Sequence, residues 1–228
     1  NEEVLNAANT NNALLNALRS DVAGISAELR SQAIKLAACM IGETLFSEDL
    51  FFGAAADRCI RLLDGFCMML KERNLTCAGV LLRMQMDNCM RTYAAFIAAD
   101  KKAVVDCILN GDPIKNLKDK DGKKMTDGHL KDKATELDKQ FAGVYDQASG
   151  YVHLSEKAFF QTVEKVEDGG KICFNYGHPL PEKRNDPLLE SAAAYIHFVK
   201  FQFRMLQAVA DSKQRYDAEE HNDDLEED

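Results

Sequence analysis

The sequence predicts an all-α fold, a helical bundle carrying a small β-hairpin insertion. Three observations lead there. Apolar residues recur at three- and four-residue spacing through most of the 228 residues, the period of a helix with one buried face. Only 4 Pro and 13 Gly interrupt that text. One stretch, near 158–176, instead reads as two short strands around Gly169-Gly170. With 46% hydrophobic residues, the chain can bury a core without staples. The expected organisation is an N-terminal helical segment over 1–50 packing on the core, a core domain over 51–216 that includes the hairpin, and a disordered acidic tail over 217–228.

The N-terminal segment carries a stripe through Leu14, Leu18, Val22, Ile25 and Leu29. Ser47-Glu48-Asp49 is a start signal, and the helix after it presents Ile60, Leu63, Phe66 and Leu70. A further helix over about 77–99 presents Val80, Leu81, Met84, Cys89, Tyr93 and Phe96. Lys101 to Leu109 makes a short helix closed by Asn110-Gly111-Asp112-Pro113. The Lys-rich text that follows reads as a mobile surface loop with a solvated His129. One helix is then expected from Asp127 to about Val152. After the hairpin and a Pro-rich loop, Asp186-Pro187 starts the last helix. That helix runs to about Tyr216, with Tyr195, Phe198 and Leu206 on its apolar side and His197 packed among them.

Charge and cysteine content exclude several functions. The net charge is −9, and the eight carboxylates of 217–228 account for all of it but one unit. The body lacks the broad basic surface of a strong nucleic-acid binder. Seven cysteines without C-x-x-C spacing suit free thiols in a reducing cytoplasm. No zinc cluster is expected. Asp119-Lys120-Asp121-Gly122 fails as a calcium loop, because the first and last ligand positions would fall on Leu117 and Gly128. Gly169-Gly170 does not fit a phosphate-binding loop. No cofactor, no membrane span and no secretory leader are expected.

One constellation carries chemistry. Tyr145, Ser149 and His153 are spaced four apart and share one helical face. Arg83, Asp87 and Arg91 do the same on an earlier helix. If the two helices pack, the strips can meet, with Asp87 accepting from Ser149 or His153.

The text "LLRMQMDNCMRTYAAF" followed by "YDQASGYVHLS" resembles an uncharacterised bacterial family of helical domains. In that family an Arg-plus-acid helix precedes a Y-x3-S-x-x-V-H helix end. The family is distantly similar to the HEPN superfamily, whose helical domains include many defence and toxin ribonucleases. The likeness covers about 55 to 160. It implies a HEPN-like domain of a bacterial cytoplasmic protein, an RNA-directed effector of antiviral defence or stress. Its pocket would comprise Arg83, Asp87, Tyr145, Ser149 and His153. HEPN domains often pair, which implies a homodimer, with RNA or protein as a further partner. The R-x4-6-H spacing of the superfamily's nucleases is absent around His153. Arg83 or Arg91 would then supply the guanidinium, with His153 as general acid and base. The rival reading is a non-enzymatic helical scaffold or protein-interaction module, in which the same residues form a structural polar network.

Overall fold

The computed structural model describes 45–153, 155–156, 161–166, 170–181 and 184–226, together with scattered positions between 20 and 39. It is predominantly helical, as the sequence predicts. α1 spans Ser47–Lys71 and α2 spans Leu75–Ile97. α3 spans Lys101–Leu109, α4 Asp127–Leu137 and α5 Phe141–Val152. After the hairpin, α6 spans Asp186–Glu226. No described helix is long and apolar enough to cross a membrane.

Local chemistry sets the helix starts. The Asp49 carboxylate accepts from the Phe46 N–H at 2.9 Å, meeting one of the donors that a helix N-terminus leaves open. Asn74, Asp100 and Thr126 cap α2, α3 and α4 through side-chain oxygens. α2 lies at the centre and packs against α1, α3, α4, α5 and α6. It therefore buries residues around much of its circumference, Leu82, Met86 and Met90 among them. Two of its enclosed polar side chains are bonded across the core: Asn88 Nδ2 donates to Ala55 O at 3.0 Å, and Thr92 Oγ1 accepts from Gln202 Nε2 at 2.7 Å, whereas the buried Gln85 Oε1 has no partner among the described residues. α6 lies along α1 in the opposite direction. Its Lys213 pairs with Asp49 at 3.1 Å, while its start, at Asn185, meets the far end of α1.

Four details depart from the expectations. Helix 127–152 is interrupted: Asp138 is extended, with φ −140° and ψ 107°. Its carboxylate accepts from the Gln140 N–H at 3.0 Å and takes His197 Nε2 at 2.5 Å. Those bonds compete with the helical ladder and divide α4 from α5. The first strand is shorter than expected, since 161 and 162 are helical. The strands are β1, Val163–Val166, and β2, Ile172–Phe174, antiparallel with a register shift between Val163 and Lys165. The acidic segment is helical through Glu226 rather than disordered. Without Gly or Pro, each added residue costs little once a helix is nucleated. The expected division between residues 50 and 51 falls inside α1. Most of 1–44 lies outside the described residues, but Arg30 pairs with Asp64 there.

The turn between α1 and α2 anchors the segment that follows the hairpin. Arg73 has φ +54°, a left-handed conformation that strains a side chain. Its O accepts from the Leu180 N–H at 3.1 Å. Its guanidinium donates to Leu180 O at 2.5 Å, Pro181 O at 2.8 Å and Asn185 Oδ1 at 2.6 Å. The strain is thus held by four bonds to one loop. Arg73→Ala is expected to lose about 2–3 kcal/mol in urea denaturation, because buried acceptors lose their donor while the strain stays. Arg73→Gly should lose less, since glycine accepts that φ.

Candidate functional site

The two sequence strips meet where α5 crosses α2, and four of the five expected site residues gather there. Arg83 Nε donates to Ser149 Oγ at 3.2 Å. A terminal nitrogen of Arg83 donates to the Tyr145 hydroxyl, and the guanidinium carbon lies 3.7 Å from the Tyr145 ring centre. Asp87 lies 3.8 Å from Arg83 and 3.5 Å from Arg91. Ser149 Oγ donates to Tyr145 O at 2.8 Å, so its only proton is committed to its own helix. Burial pushes the Tyr145 phenol up from its ordinary value, opposed by the Arg83 charge.

His153 does not join them. It is the C-cap of α5, with extended backbone and an exposed side chain. Among the described residues its side chain has no hydrogen bond to Arg83, Asp87 or Arg91. The direction of packing explains this. Tyr151 sits on Gly79, while Ser149 and Tyr145 sit on Arg83, further along α2. The helices therefore run antiparallel. Advancing along α5 from Ser149 to His153 moves toward the start of α2, away from Asp87 and Arg91. Shared spacing put the three residues on one face, but it did not place them at one point.

The strip reaches further than the sequence indicates. Arg91 bonds Asp127 at 2.7 Å, and Lys131 pairs with Asp146 at 3.0 Å. Lys131 Nζ also lies 5.6 Å from the Tyr145 ring centre. Asp127 and Lys131 stand four apart on α4, a signal visible in the sequence but without a partner helix to give it meaning.

His129 is not solvated in a mobile loop. It is only 16% exposed, and its Nε2 lies 2.6 Å from Asp119 Oδ2. The Asp119 carboxylate, 2% exposed, also accepts from the Asp121 and Lys123 N–H groups at 3.0 and 2.8 Å. Burial pushes the Asp119 carboxyl up. The His129 and backbone bonds outweigh it and hold the group below its ordinary range.

All seven cysteines are unpaired. Cys59 and Cys89 are fully buried; burial pushes the Cys59 thiol up to about 12 and the Cys89 thiol well above its usual value. Such thiols are poor nucleophiles. Cys77 is exposed and the other four are half-buried. Among the described residues no group of His, Cys, Asp or Glu is arranged to hold a metal ion. Comparison with protein-family models, curated proteins and solved structures finds no match to this chain. The fold and site define a helical bundle with a polar clamp between two of its helices.

Two variants test this geometry. A Cβ at Gly79 would overlap the Tyr151 ring, touching its Cβ at 2.9 Å. Gly79→Ala is therefore expected to destabilise by about 1–3 kcal/mol through overpacking, despite alanine's better helix propensity; chemical denaturation reads this. Asp119 has a depressed folded pKa, so its contribution is present above the unfolded carboxylate range, near about 4, and fades as pH falls through the folded value. The stability gap between wild type and Asp119→Asn should be full at pH 7 and shrink on acidification below pH 4, as followed by thermal melts at a series of pH values.

Proposed function

We propose that this protein is a non-enzymatic helical interaction module, in which Arg83, Asp87, Tyr145 and Ser149 hold the bundle together. One observation carries the reading: the polar groups of the strip are spent on one another. Arg83 serves Ser149, Tyr145 and Asp87, and Ser149 gives its proton to Tyr145 O. General acid–base chemistry needs a proton-carrying group beside a reactive one. His153, the group with suitable chemistry, stands exposed at the helix end. The partner class is protein, a second copy of the chain included. Seven unpaired cysteines suit a reducing cytoplasm.

The second reading is a HEPN-like, RNA-directed defence effector of a bacterial cytoplasm. It is favoured by the meeting of the two resembling segments across α2 and α5 and by the accessibility of His153 to a large substrate. One pair of variants separates the two readings. In the module, His153→Ala should melt within about 0.5 kcal/mol of wild type. Arg83→Ala should lose about 1–3 kcal/mol, because its half-buried partners lose a charged donor. Neither protein should cleave single-stranded RNA. Cleavage by the wild type that disappears in a normally folded His153→Ala would overturn the module and establish the effector.

A further inference from the structure

A cavity of about 380 Å³ opens between α1, α2 and the end of α3. It borders the polar strip through Asp87 and Arg91, and Tyr145 is not among its lining residues. Its apolar wall is Phe51, Ala54, Ala55 and Ile108. The remaining lining is polar, and most of it is already committed. Asn88 donates to Ala55 O and Thr92 accepts from Gln202. Asp87 and Arg91 pair with each other, with Arg83 and with Asp127. Two charges remain, Arg58 and Asp112, both on the cavity lining and both exposed. Among the described residues neither has an ion-pair or side-chain hydrogen-bond partner.

We propose that this cavity binds a free α-amino acid with an apolar side chain. The match is one of charge and shape. A single unpaired guanidinium suits a carboxylate, which it can hold through two parallel bonds. A single unpaired carboxylate suits an ammonium group. The same cavity offers an apolar wall for the side chain, and the volume falls in the range of small-molecule sites. A ligand with only a negative or only a positive group would leave one of the two charges without a partner. A zwitterion serves both, and it leaves the balance of the Asp87 and Arg91 pair undisturbed. The inference is independent of the module and effector readings, since neither uses Arg58 or Asp112.

The test uses the full chain with L-phenylalanine and L-leucine as probes, read by thermal melting and by isothermal titration. Binding to the folded state raises Tm with the logarithm of ligand concentration once that exceeds Kd. The expected result, with at least one of the two amino acids, is a Tm that climbs with ligand concentration and a titration heat that saturates. N-acetyl-L-phenylalanine lacks the ammonium and L-phenylalaninamide lacks the carboxylate; each should bind about tenfold more weakly or worse. Arg58→Gln and Asp112→Asn alter exposed side chains, so both should fold as wild type and lose the response. Ala54→Phe, which fills the cavity from an exposed position, should lose it too. The proposal fails if neither amino acid shifts Tm or gives heat. It fails equally if both blocked analogues bind as well as the free amino acid, or if the charge variants respond as wild type does.

Discussion

The structure depends on the enclosure of α2. Five other helices dock on it, so it has little free face and must meet a different demand on each side. Where α5 approaches most closely, Gly79 leaves room for the Tyr151 ring. Where α1 and α6 enclose it, apolar bulk such as Met86 and Met90 fills the space. Asn88 and Thr92 are buried on the same helix and have bonds there, to Ala55 O and to Gln202. Arg83 sits at the edge, 18% exposed; its stem packs while its charge is shared among Asp87, Ser149 and Tyr145. A partly enclosed guanidinium held by several partners fixes the position of one helix on another better than apolar contact alone.

That enclosure explains which parts of the molecule were legible in the sequence. The helix pattern was visible, because a period of 3–4 residues records burial on one side and needs no knowledge of the partner. α3 was visible to the residue, because Asn110-Gly111 closes it; the Asp100 cap that opens it is added by the structure. The break at Asp138 was not visible. The local bond from the Gln140 N–H is joined by one from His197, 59 residues away, which the sequence around Asp138 does not reveal. The burial of Asp119 was hidden for a similar reason. A Lys-rich stretch looks solvated, yet His129 and two backbone N–H groups draw one carboxylate inward.

The candidate site shows the same division. Spacing identified two polar faces, and Arg83, Asp87, Tyr145 and Ser149 do come together. Spacing carries no direction, however, and the antiparallel crossing decides which end of each strip meets the other. It brings Tyr145 toward Arg83 and carries His153 off the end of α2. A residue's chemistry was therefore readable from the sequence, while its neighbours were not.

The length of α6 has an electrical consequence. Tyr216 stands beside Phe46, their ring centres 5.6 Å apart, so the helix is level there with the start of α1. It then continues through Glu226, about 15 Å further at the helical rise. Six carboxylates belong to that extension, and the C-terminal end of a helix already carries partial negative charge. The molecule is thus a permanent dipole, with a nearly neutral body and one strongly negative pole. An approaching cationic surface would feel a torque before it made any contact, arriving at that end first and in a preferred orientation.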